Sequence, residues 1–151
     1  MHKTIISDTS CLILLDKIGE LDLLHALFGT ITTTPEVAEE FGELLPPWFE
    51  IVEPLDKNYQ AIVEATVDRG EASAIALAVE SNDCLLIIDD LKGRKFATQL
   101  GLTIIGTVGV IVGAKLAGII PSVKPIINKV KATNFRITEQ LELLILKQAG
   151  E

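Results

Sequence analysis

Cys84-Leu85-Leu86-Ile87-Ile88-Asp89-Asp90 is the stretch that decides the fold. Its apolar part is too short for a buried helix and lacks the alternation of a strand with one wet face. A continuous run of this kind suits a parallel strand covered by helices on both sides. The run stops on two aspartates, and residues 91–100 then read as a helix closed by Gly101. The same junction occurs near the start, where Lys3-Thr4-Ile5-Ile6-Ser7 leads into Asp8-Thr9-Ser10. Two β-rich runs ending on carboxylates, in a chain that alternates strand and helix, set acids along one sheet edge. In open α/β sheets ligands bind at that edge, outside the carboxyl ends of the strands.

Outward from these junctions the alternation continues. Residues 30–33 and 102–105 read as strands, and Ile51-Val52 as a short extended piece. Helices are expected over 11–17, capped by Thr9 or Ser10, over 21–28, and over 35–41, where Thr34 caps and Pro35 sits in the first turn. A further helix over 57–67 breaks at Arg69-Gly70 before an alanine-rich helix over 71–79, whose small side chains let it lie close to a sheet. Residues 107–117, a segment from Pro121 and Ser122 to 130, and an amphipathic tail over 138–147 complete the pattern. The expectation is a three-layer α/β/α sandwich with a mostly parallel central sheet, folded as one domain over residues 1–151.

The 151 residues are 48% hydrophobic with a mean hydropathy of +0.41, enough for a substantial core. The most apolar stretch, 102–120, contains Gly106, Gly109, Gly113 and Lys115 and does not read as a membrane span. Met1-His2-Lys3 leads into a strand too short for a signal-peptide core, so a cytoplasmic protein is expected. Cys11 and Cys84 lie in apolar surroundings and read as buried filler. With His2 and His25 the only histidines and no Cys-x-x-Cys, a structural zinc site is not indicated. A net charge of −8 means that any nucleic-acid contact must rest on a local basic patch.

The acids have two readings each. Asp8 can be an N-cap, Glu39 and Glu40 surface glutamates, and Glu71 a dipole-favoured acid in a first turn. One of Asp89 and Asp90 can cap the next helix, which leaves the other at the strand end without a structural duty. Together, however, these acids all fall at element ends on the same sheet edge. With Ile5-Ile6-Ser7-Asp8-Thr9-Ser10, Thr34-Pro35-Glu36-Val37-Ala38-Glu39-Glu40-Phe41, Gly70-Glu71-Ala72-Ser73-Ala74-Ile75-Ala76-Leu77-Ala78 and Leu86-Ile87-Ile88-Asp89-Asp90, the chain resembles the PIN domain family over nearly its whole length. Gly93-Arg94-Lys95-Phe96-Ala97, Gly101-Leu102 and Gly106-Thr107-Val108-Gly109 are similar to a toxin-like branch of that family.

The resemblance implies a Mg²⁺- or Mn²⁺-dependent ribonuclease, often the toxin half of a toxin–antitoxin pair. By position Asp8, Glu40 and either Asp89 or Asp90 match the family's acids. Glu71 falls near the remaining aspartate, with one extra methylene. Ser10 and Thr107 are candidate hydroxyl supports, with helix capping as their other reading. Lys92, Arg94 and Lys95, after Asp90, and Arg69, before Glu71, are candidate phosphate contacts or a solvated helix face. Trp48 and Phe49 can stack a base or meet a partner.

Hard cations such as Mg²⁺ take oxygen ligands and keep several waters beside one or two carboxylates. Without a cation, two carboxylates ~5 Å apart repel by roughly 3 kcal/mol at an effective dielectric near 20, which favours protonation of one. Other chemistries fit less well. Gly106-Thr107-Val108-Gly109 lacks the first Gly-x-Gly of a dinucleotide fingerprint. A nucleophilic-aspartate phosphatase would show a second aspartate where Ser10 stands, and a phospho-receiver leaves Glu40 and Glu71 unexplained. The non-enzymatic alternative is a degenerate PIN-like binding or assembly module. For partners, RNA and an antitoxin protein are expected. A homodimer or antitoxin face is expected on the tail or the Leu12, Leu14, Leu15 stretch.

Overall fold

The computed structural model describes residues 4–151, so Lys3 at the head of the expected first strand lies outside it. In chain order the elements are β1 (Thr4–Ser7), α1 (Thr9–Lys17), α2 (Asp22–Phe28), β2 (Ile31–Thr33), α3 (Pro35–Phe41), β3 (Phe49–Ile51) and α4 (Lys57–Val63). They continue as α5 (Arg69–Glu80), β4 (Cys84–Ile87), α6 (Leu91–Gln99), β5 (Thr103–Ile105), α7 (Thr107–Leu116), α8 (Lys124–Lys131) and α9 (Glu139–Gln148). Among the described residues the strands form one sheet in the order β3-β2-β1-β4-β5, and every pairing is parallel, without an antiparallel member. The chain thus moves outward from β1 in one direction and then in the other. That reversal makes the carboxyl ends of β1 and β4 the topological switch point.

The apolar runs cover both faces as their continuity demands. Ile6, Leu86 and Ile88 pack under α4, α5 and α6, while Ile5, Leu85 and Ile87 pack under α1, α2 and α7. Each such side chain, fully removed from water, contributes roughly 1.5–3 kcal/mol. A third cluster joins α7 to α8 and α9 through Ile111, Ile126, Ile127 and Ile145. Helix α5 is buried from Gly70 through Ala78, so its alanines serve to bring it against β1, β4, α3 and α4.

Several expectations need correcting. Helix α1 is capped neither by Thr9 nor by Ser10 but by Asp8, whose side chain accepts from the Cys11 N–H. Arg69 and Gly70 lie inside α5, because Asp68 caps that helix and the break falls before it. Leu12, Leu14 and Leu15 are core residues and present no docking face; on α1 it is Ile13 that is exposed. Trp48 stacks on His25 and Phe49 at 5.0 and 4.5 Å, and its carbonyl accepts from Ile31 N at the start of β2. It therefore sits at the amino edge, away from the acids. Among the described residues no helix is long and apolar enough to cross a membrane.

Candidate active site at the carboxyl edge

Asp8 directly follows the central strand, and its N–H continues the β1–β4 pairing by donating to Ile87 O at 3.0 Å. Its carboxylate is buried, with Oδ1 accepting from Cys11 N at 3.2 Å and Oδ2 from Asp89 N at 3.4 Å. The capping role and the site role therefore coexist in one side chain, one oxygen serving each. Burial pushes the Asp8 carboxyl up to about 7, aided by the neighbouring charge of Asp89 and opposed by the two backbone donors.

Asp89 lies two residues beyond the end of β4 and is not idle. Thr107 N donates to its Oδ1 at 2.8 Å and the Thr107 hydroxyl donates to its Oδ2. Gly106 caps α7 without a side chain, so Asp89 supplies the missing acceptor at that helix N-terminus. Asp90 takes the ordinary duty, capping α6 through Gly93 N at 3.0 Å. The two adjacent aspartates are thus divided: Asp89 faces Asp8, and Asp90 faces its own helix.

Glu71 is only 7% exposed, and its Oε2 is buried with no hydrogen-bond partner. Burial pushes its carboxyl up to about 9, with further contributions from a hydrogen bond to the Asp68 carboxylate and from the charges of Asp68, Asp90 and Asp8. Glu40 lies at the end of α3, where its Oε1 accepts from the Thr9 hydroxyl at 2.5 Å. A Cβ on Gly70 would lie 2.8 Å from Glu40 Cδ, so that glycine admits the glutamate. Gly93 and Gly106 do the same for Glu71 Oε2 and Asp89 Oδ1, at 2.8 and 2.9 Å from the corresponding Cβ positions.

The remaining candidates separate. Thr107 holds Asp89, whereas Ser10 is exposed and lies beside Ile13, Lys17 and Phe135 on the outer side of α1. Lys92 and Lys95 are exposed on α6. Arg94 is half-buried, with Nη1 donating to Ile88 O at 2.9 Å. Arg69 meets Glu39 at 3.6 Å on the surface, a pair of little energetic weight. Cys11 lies beneath Asp8 and Asp89, its thiol pushed well up by burial and by Asp89.

Two site residues escaped the sequence reading. Asp68 accepts from Glu71 N at 2.9 Å and helps raise the Glu71 carboxyl; the Asp-x-x-Glu spacing, a relative of the capping box, was the available signal. Thr9 had no signal, since its partner is 31 residues away.

The donor set is all oxygen, and Glu71 Oε2 is a buried acceptor with nothing to accept from. Both properties fit a hard divalent cation. Among the described residues no three acid, His or Cys side chains are yet gathered closely enough to hold an ion. A cation that keeps most of its waters needs only one or two carboxylates.

A family model described as a PIN domain matches residues 4–151, and the chain belongs to that family. PIN domains are generally nucleases, and such nucleases typically use divalent metals. No curated protein and no solved structure matches the chain.

Proposed function

We propose that this chain is a divalent-metal-dependent endoribonuclease and the toxin component of a toxin–antitoxin system. The observation that carries the reading is the placement of buried Asp8 beside Asp89 at the ends of adjacent central strands, with the Asp89 N–H on Asp8 Oδ2. Asp8 and Asp89 would hold Mg²⁺ or Mn²⁺, with Glu40, Glu71 and Asp90 as further ligands or partners for its waters. Once bound, the ion neutralises charge on the phosphate oxygens and makes water a better nucleophile near neutral pH.

The chain's own residues supply the rest. Thr107 holds the Asp89 carboxylate in one orientation through two donors. Burial and the neighbouring acids Asp68, Asp90 and Asp8 raise the Glu71 carboxyl, and a bound cation would lower it again. Lys92 and Lys95 draw the phosphodiester toward an otherwise acidic surface without reading its sequence. Residues 1–151 act as one domain in this proposal, and the setting is cytoplasmic. Exposed Leu143 and Leu144 on α9 are the face for a second copy or an antitoxin.

One observation favours a second reading, a degenerate PIN-like binding or assembly module. A glutamate stands at position 71 where the resemblance expects an aspartate, and burial holds its carboxyl well above the usual range. Purified protein incubated with structured and unstructured RNA in Mn²⁺, beside an Asp8→Asn variant, separates the two. Asparagine keeps one oxygen to cap α1 through Cys11 N and removes the charge, while its amide nitrogen gives up the bond from Asp89 N. Cleavage by the native chain alone supports the nuclease; RNA retention without cleavage supports the module. Equal cleavage by both proteins rejects the proposed site.

A further inference from the structure

The peptide unit between Ile88 and Asp89 is held at both ends. Its N–H, on Asp89, donates to Asp8 Oδ2 at 3.4 Å; its carbonyl, on Ile88, accepts from Arg94 Nη1 at 2.9 Å. One residue earlier in the ladder, Ile88 N donates to Ile105 O at 2.9 Å, so β4 is paired up to this point and no further. Beyond it the chain turns into α6, and Arg94, on that helix, reaches back to the Ile88 carbonyl. The guanidinium also lies against Gly106. A Cβ there would be 2.9 Å from Arg94 Nη1 and 2.9 Å from Asp89 Oδ1, so cation and carboxylate flank one point of the β5–α7 connection. Gly106 is itself the N-cap of the helix whose first residue, Thr107, grips Asp89.

We infer that Arg94 is a positioning residue for Asp89, acting through the Ile88 carbonyl and the Gly106 backbone, and not a phosphate contact. This rests on the nuclease reading only for its consequence in catalysis. A planar guanidinium can hold the carbonyl with Nη1 set beside Gly106; a lysine ammonium on a flexible stem does not reproduce that fixed fork. Arg94 therefore differs in kind from Lys92 and Lys95, which are exposed and bond nothing among the described residues.

The experiment compares native protein with Arg94→Ala, Arg94→Lys and Lys92→Ala. The first readout is amide hydrogen exchange at Asp89 and Thr107 in metal-free protein, with Leu86 as a core reference. The second is the Mn²⁺ titration midpoint, and the third is kcat against KM on RNA. A positioning role predicts faster exchange at Asp89 and Thr107 with Leu86 unchanged, in both Arg94 variants. It also predicts a weaker Mn²⁺ midpoint and a kcat lowered by about 10–100-fold at similar KM, the range for outer partners of ligands. Lysine should fail to restore any of these. If exchange is native and Arg94→Lys restores a KM that Arg94→Ala has raised, Arg94 is a phosphate contact like Lys92 and the inference is overturned. Should native protein cleave no RNA, the nuclease reading falls, yet exchange at Asp89 still decides the role of Arg94.

Discussion

The two edges of the sheet use glycine for opposite reasons. At the amino edge Gly101, just before β5, has φ +80° and nothing within 4 Å of where a Cβ would stand. Its value is conformational, a left-handed turn into a strand. At the carboxyl edge Gly70, Gly93 and Gly106 have no such backbone, and their missing Cβ atoms would meet Glu40, Glu71 and Asp89. Their value is spatial: they let main chain come close to carboxylates. One edge is built to turn the chain, the other to crowd charge, and only crowded charge asks for a counterion.

The comparison can be broken most severely at the acids. Asp89→Asn keeps the volume and a Thr107 acceptor but removes the charge, and activity should fall by more than ~100-fold, beyond the 10–100-fold typical of outer partners. RNA cleavage with Mn²⁺ measures it. Gly93→Ala comes next. Its Cβ would stand 2.7 Å from Ile88 Cδ1 and 2.8 Å from Glu71 Oε2, so overpacking should cost about 1–3 kcal/mol in urea unfolding and lower activity as well. Gly101→Ala should cost about 1–2 kcal/mol of stability from its backbone alone and leave cleavage by the folded protein unchanged. If the two glycine variants lose activity equally, the distinction between edges is mistaken.

Much of this was legible. The run ending at Asp89 announced a two-sided parallel strand, and Thr34-Pro35 announced the start of α3, because strand continuity and capping are local properties. The alanines of α5 pointed correctly to a central helix. What stayed hidden was tertiary. Asp89 has its structural duty at Thr107, 18 residues on, and Glu40 has its support at Thr9, on another helix. Arg94 looked like one more cation in a basic run, since a bond to a strand carbonyl leaves no mark in composition. Ser10 pointed away because a helix start places neighbouring residues on different faces, and Thr9 took the inward one.

The smallest expected effect sharpens the contrast through pH. Burial raises Asp8 to about 7 and Glu71 to about 9, both above the unfolded values of about 4. Between those limits the native state holds protons that the unfolded chain has released, so stability falls as pH rises. The contribution is whole below about pH 4 and is lost as pH passes through 7 for Asp8 and then 9 for Glu71. Melting temperature of metal-free protein should decline steadily from pH 5 to 9. Asp8→Asn should flatten the lower half of that decline.

The most direct test of converging carboxylates is thermal melting at pH 7.5 with millimolar Mn²⁺, in native protein and in Asp8→Asn. A ligand that binds only the folded state raises its melting temperature. The native chain should rise with metal and the variant should stay where it was. Equal shifts in both, or none in either, would contradict a cation site built on Asp8.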